Sequence, residues 1–350
     1  MKAPLSTLLL LLGSAPTAFA QALVFDDFNR PDSTDLGPDW SEVNGDFVLL
    51  SGRCKGNVPF ANDTWMHHTG FAQPYTASKA RIEFARDAGD GFFGSGLVVG
   101  LDPSSWSGVA VMLQDNDLDG LFDRLFFHAA INAGAWFSQP TPVFHDLPTQ
   151  LVSGQLTVWV QDGGDVALAR IEDSAGNLIG TYSAAGIVGT PFAPTGTAAG
   201  VWARSRPFFD DFYALERRAL DAYPAALSVS GGGEQTLDLT FESAHAGELY
   251  FVVSSQTAAS PGTPIGGGVL LPLVIDPITL WVLGHPNTAP YEDNFGTLDT
   301  FGHARARLRL LAGSSPSFVG LTLHHAGVAL DPVSFAPTAA TNSAPVDLLP

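Results

Sequence analysis

Apolar and polar residues alternate in short runs along most of the chain. From Lys79 to Arg86, Ala80, Ile82 and Phe84 fall on one face and Lys79, Arg81 and Glu83 on the other. That period of two marks a half-buried strand. Residues 109–113 and 124–131 are β-rich runs flanking an acidic turn, and 156–160, 166–171 and 178–183 follow at short spacing. Asp162-Gly-Gly-Asp165 and the stretch 173–177 read as hairpin turns between them. Further on, Leu237, Leu239 and Phe241 share a face, and Arg305, Arg307 and Arg309 share another. Residues 318–330 form one more β-rich run. The apolar stretch 268–283 is broken by Pro272, Asp276 and Pro277 and reads as two buried strands. Up to residue 222 no segment sustains a helical period over three turns; the nearest, 213–222, is short and charged. The pattern predicts an all-β protein.

The N-terminus follows a different rule. Lys2, the unbroken apolar run 8–12 and the small-x-small triplet Ala18-Phe19-Ala20 have the order of a signal peptide cleaved near Ala20. Residues 1–20 are therefore expected to be removed on export, leaving a secreted or envelope protein. The apolar run is too short to span a bilayer, and no later segment reads as a membrane span.

The 350 residues suffice for two or three domains, and 45% of them are hydrophobic, enough for sizeable cores. The formal net charge of −19 excludes the basic footprint that nucleic acid requires. The lone cysteine, Cys54, rules out a disulfide within the chain. Phe25-Asp-Asp-Phe28 recurs as Phe209-Asp-Asp-Phe212. If these are the first and last strands of one sandwich lying side by side, they close a domain over residues 21–217. A charged linker, 218–224, would precede a second domain, 225–350.

The stretch 24–40, with Gly45-Asp-Phe47, Ala80-Arg-Ile-Glu83 and the closing Phe209-Asp-Asp-Phe212, resembles the concanavalin A-like (laminin G-like) domains of secreted bacterial proteins. The resemblance covers about residues 24–214 and implies a jelly roll of two curved antiparallel sheets. Segments 260–264, 271–273, 320–326 and 344–350 resemble a domain appended to secreted bacterial proteins, with no activity implied. About seven strands in that region match an immunoglobulin-like β-sandwich.

The sharpest local motif is Asp115-Asn-Asp117-Leu-Asp119-Gly-Leu121-Phe-Asp123. Alternate aspartates in a tight turn suit calcium, which takes six to eight oxygens. Asp115, Asp117, Asp119, Asp123 and the Leu121 carbonyl are the candidate ligands of a structural ion. Phe126 stands where an EF-hand carries its bidentate Glu, so a loop between strands is the better picture. Pairing of Asp26 or Asp27 with Asp210 or Asp211 around a second ion is the weaker alternative to carboxylates that cap strands. Trp65, Trp106 and Trp136 lie near turns and are the candidate sugar-stacking platforms. His67-His68 and His324-His325 are adjacent pairs, whose side chains in a strand point to opposite faces.

Three functions are compatible with these residues. One is a non-catalytic binding or adhesion protein that recognises carbohydrate or a cell-surface polymer, with structural calcium. The second is a carbohydrate-active enzyme of the concanavalin A fold, a glycoside hydrolase or polysaccharide lyase, with Glu83, Asp87 and Asp90 the nearest carboxylate cluster. That fold's E-x-D-x-x-E strand signature is absent. The third is a purely structural envelope protein.

Overall fold

The computed structural model describes residues 24–57, 63–70, 79–86, 94–105, 107–130, 143–187, 194, 196–215 and 219–350. The predicted leader lies outside these. Among the described residues the chain is almost entirely β, with a single α-helix.

Residues 24–215 build two antiparallel sheets. The first has eight strands, with Lys79–Ala85 and Phe208–Leu215 adjacent near its middle and Ser153–Gln161, Val166–Asp173 and Leu178–Ala185 running to one edge. The second has seven: Val143–Leu151, Phe122–Ala130, Ser107–Gln114, Gly94–Asp102, Ala198–Arg204, Asp63–His68 and Trp40–Asn44, in that order. As expected, the opening strand Val24–Asp26 lies antiparallel to the closing strand Phe208–Leu215, with Val24 opposite Ala214. The alternation read from the sequence holds: Ala80, Ile82 and Phe84 enter the core between the sheets with Leu97, Val111, Phe122, Phe209 and Phe212. Each fully buried Phe contributes about 2 kcal/mol of transfer free energy. This is a jelly-roll sandwich of the expected class. Cys54 lies in its core, where burial pushes the thiol further up.

Residues 220–349 form a second pair of sheets. One contains Leu220–Tyr223, Gly233–Thr240, His303–Leu310 and Tyr291–Glu292. The other contains Leu249–Ser255, Thr322–Leu330 and Ala344–Leu349 among its six strands. In that second sheet Ala226–Ser228 runs parallel to Ala344–Leu349. Buried Leu237, Leu308, Val253, Val328 and Val346 fill the space between the sheets. His325 is wholly buried and its neighbour His324 only partly, as the pair's position in a strand requires. Its Nδ1 lies 2.6 Å from Ser254 Oγ, and its ring packs edge-on against Tyr291.

Two expectations need correction. The supposed linker 218–224 contains the strand Leu220–Tyr223, because Leu220 pairs with Leu239 and is buried. The segment 213–222 is strand on both sides of its undescribed part, in keeping with its lack of a sustained helical period. The stretch 268–283 is one short strand, Val269–Leu271, followed by the helix Pro277–Gly284. Its breakers start that helix. The Asp276 carboxylate accepts the Thr279 amide at 2.9 Å, Thr279 Oγ1 accepts the Asp276 amide, and Pro277 sits in the first turn. These are the parts of a capping box.

The two sandwiches meet across the outer face of the first sheet. Lys79 Nζ donates to Asp221 at 2.7 Å, with both side chains nearly inaccessible. The Arg305 guanidinium bonds Asp238 at 2.6 Å and also Glu172. Burial pushes the Asp238 carboxyl up, but Arg305, Lys79 and Arg170 outweigh it and hold it far below the usual carboxylate range. Gln161 faces His303 at 2.8 Å, and Ser243 Oγ donates to Asp162 at 2.9 Å.

Candidate functional site

The acidic loop joins Ser107–Gln114 to Phe122–Ala130. Its turn is built by its own carboxylates. Asp115 is fully buried; its Oδ1 accepts the Leu118 amide at 2.7 Å and its Oδ2 the Gly120 amide at 2.9 Å. Asp119 Oδ1 accepts from Leu121 and Asp123 Oδ1 from Asn116, at 2.9 and 2.8 Å. Gly120 takes φ +90°, the left-handed conformation the sharp turn needs. The Gly120 carbonyl receives the Arg86 guanidinium.

This folding brings Asp115, Asp117 and Asp119 together, each with a carboxylate oxygen within 4.8 Å of the others. Burial pushes the Asp115 carboxyl up, and repulsion from Asp119 and Asp117 adds to that, against the two amides it accepts. A divalent cation would relieve that repulsion, so the trio fits a hard ion whose remaining ligands are water. Of the other two predicted ligands, Asp123 accepts the Asn116 amide on Oδ1 only, and the Leu121 amide donates to Asp119 Oδ1.

Asp26 and Asp27 serve the strand-capping role. Asp26 is buried; Oδ1 accepts the Phe28 amide at 2.8 Å, while Oδ2 accepts Trp40 Nε1 at 2.7 Å and Arg30 at 3.0 Å. Asp27 accepts the Asn29 amide.

Of the three predicted sugar platforms, Trp106 and Trp136 lie outside the described residues. Trp65 is only 2% exposed, which corrects its expected exposure. It faces away from the main core, directly opposite Trp202, in a cluster with Val98 and Met112.

From that cluster an aromatic strip crosses the outward face of the seven-stranded sheet. His128 meets Trp202 edge-on at 5.0 Å, Phe126 stacks on His128 at 5.5 Å, and Phe144 follows at 5.9 Å. Burial, then the nearby Arg204, lowers His128 to about 4, so the ring is neutral at pH 7. The strip emerges at Phe144, 51% exposed, with the Arg124 guanidinium 4.8 Å from its ring centre. Arg124 also donates to Asp146 at 2.5 Å and to Asn116 of the acidic loop at 3.0 Å. Aromatic platform, charged pair and acidic loop thus adjoin.

The sequence held a signal for this strip. Arg124, Phe126 and His128 alternate with core-facing Leu125 and Phe127. Glu83, the carboxylate an enzyme of this fold was expected to use, lies on the other sheet and accepts Gln155 Nε2 at 2.9 Å. Asp87 and Asp90 lie outside the described residues.

No family model matches the sequence, and no curated protein matches it. Solved structures similar to about half of this chain include carbohydrate binding module CBM66 from Bacillus subtilis, at 11% identity and TM-score 0.30, covering 51% of this chain and 92% of that one. Bacillus licheniformis beta-glucanase is similar at 9% identity and TM-score 0.37, covering 56% and 98%. A Bacillus subtilis protein of unknown function with a galectin-like fold is similar at 12% identity and TM-score 0.38, covering 55% and 96%.

Proposed function

We propose that the chain is an exported, non-catalytic carbohydrate-binding or adhesion protein, binding glycan on the outward face of its seven-stranded sheet. The observation that carries this reading is the aromatic strip, which ends in exposed Phe144 beside the Arg124–Asp146 pair. An exposed ring offers the apolar face of a sugar a stacking surface, while a guanidinium and a carboxylate beside it can bond neighbouring hydroxyls. The adjoining acidic loop would hold calcium on Asp115, Asp117 and Asp119. An ion there would be structural, fixing the loop to which Arg124 is tied through Asn116.

The test is retention of the mature protein by immobilised plant, algal and bacterial polysaccharides in native gels, in millimolar calcium and in EDTA. The expected result is retardation by at least one polysaccharide, weakened about tenfold by Phe144→Ala. A Phe144→Ala protein retarded as strongly as the parent, or a parent that no polysaccharide retards, overturns the reading.

A further inference from the structure

The closing strand of the first sandwich contains an irregularity that exposes two consecutive acids. Phe209 and Phe212 both enter the core, so Asp210 and Asp211 between them both face outward. Asp211 adopts φ +47°, and the pairing with Lys79–Ala85 shifts register there, opposing Glu83 to Asp210 and Arg81 to Tyr213. This is the geometry of a β-bulge, which places two side chains where a regular strand places one.

The bulge forms part of the floor of a groove of about 490 Å³ at the junction of the two sandwiches. Arg81, Glu83, Gln155 and Asp211 line it from the first sheet, and Arg307 and Arg309 from the facing sheet of the C-terminal sandwich. A smaller cavity of about 250 Å³ continues it past Glu83 and Gln155 to Asp210, Arg53 and Phe208. The groove exists because the C-terminal sandwich seats on only part of the first sheet. Lys79, Arg170 and Glu172 are taken up by the junction ion pairs.

Hydrogen-bonding capacity in the groove is left unused. The Arg81 guanidinium lies 4.6 and 5.2 Å from the ring centres of Tyr223 and Tyr213, with no carboxylate within 4 Å among the described residues. Its buried Nε donates to nothing there. Asp211's carboxylate likewise accepts no hydrogen bond from a described residue; burial, reinforced by Glu83 and opposed by the attraction of nearby Arg81, pushes it up. An unpaired donor held between aromatic rings thus sits beside an unpaired acceptor.

The chemistry of the lining selects the ligand. A strongly anionic ligand would meet Glu83, Asp210 and Asp211, and a cationic one Arg81, Arg307 and Arg309. An apolar ligand would strand the unpaired groups without partners. A neutral polyol satisfies all of them, since each hydroxyl both donates and accepts. We infer that this groove is a second binding site, spanning both sandwiches, for a neutral oligosaccharide. It lies on the sheet opposite the aromatic strip and stands independently of the site proposed there.

The experiment is calorimetric titration of the full mature chain with neutral hexasaccharides of glucose, mannose, galactose and xylose, and with a uronic-acid hexasaccharide. Parent, Asp211→Asn, Arg81→Met and Phe144→Ala proteins are compared at matched thermal midpoints. At least one neutral hexasaccharide is expected to bind with an affinity that falls tenfold or more in Asp211→Asn and Arg81→Met and persists in Phe144→Ala. Two results overturn the inference while leaving the aromatic-face reading intact. One is neutral-sugar binding lost only in Phe144→Ala. The other is groove-dependent binding confined to the uronate. A panel that gives no binding at all overturns the groove site, while the aromatic face is decided by the polysaccharide gels.

Discussion

His325 should make the C-terminal sandwich acid-sensitive by an amount the structure fixes. The ring is wholly buried and packs beside Tyr291 and Ser254. Burial, then repulsion from His324, lowers it from an ordinary 6.5 to about 3. The unfolded chain therefore binds a proton that the folded chain refuses. The neutral ring's contribution is fully present above pH 6.5 and drains away as pH falls toward 3. By linkage, lowering the pH from 7 to 4 costs about 3 kcal/mol through this one group. That is a large part of the 5–15 kcal/mol typical of a folded domain, taken as an order of magnitude. The perturbation that isolates it is His325→Phe, close in shape and without a titrating proton. Urea unfolding of parent and variant, followed by circular dichroism at pH 7, 5.5 and 4, gives their stability difference at each pH. Other titrating groups, including His128 in the first sandwich, are common to both proteins and cancel. The difference should move by about 3 kcal/mol in the variant's favour between pH 7 and 4. A difference that stays constant across that range would show that the ring protonates in place, and would refute the reasoning.

Three further outcomes follow from named contacts. Lys79→Met leaves Asp221 and Asp238 without their shared cation at the junction and should cost about 4 kcal/mol, or about 10 °C in thermal midpoint; Lys79→Met combined with Asp221→Leu should recover most of that in the same calorimetric scan. Asp26→Ala removes an acceptor used by the Phe28 amide, Trp40 Nε1 and Arg30, and should cost about 2–4 kcal/mol in urea unfolding. Millimolar calcium should raise the thermal midpoint over that in EDTA, and Asp117→Ala with Asp119→Ala should abolish the rise; equal midpoints in the parent protein would exclude the loop as a calcium site.

Strand identity and facing were legible wherever one side of a strand meets the core and the other does not, as in 79–86, because burial on one side imposes the period directly. The helix Pro277–Gly284 escaped because Ile278, Leu280, Trp281, Val282 and Leu283 give it no polar face, so composition could not separate it from buried strand. Its capping signal, Asp276-Pro277 with Thr279, was present but was read only as a break. Trp65 was misplaced for another reason. Nearness to a turn is a local property, whereas Trp65 is buried in a cluster assembled from distant strands, with Trp202, 137 positions away, directly across the ladder.

The repeated Phe-Asp-Asp-Phe tetrapeptide shows how far local sequence determines role. At 25–28, Phe25 is half exposed and Asp26 is buried, bonding inward to Trp40 and Arg30. At 209–212, both phenylalanines are buried and both acids face out, because the strand bulges between them. The same four residues stabilise the core in one copy and furnish a groove floor in the other. What decides between them is the neighbouring surface. The first copy lies beside Arg30 and the start of the strand Trp40–Asn44. The second lies on the sheet that receives the C-terminal sandwich. That docking also assigns the two faces of the jelly roll. The first sheet's outer face is partly covered by ion pairs that hold the sandwiches together. The aromatic strip therefore falls on the face away from the junction, and a polymer bound along Phe126 and Phe144 would leave the groove at the junction accessible.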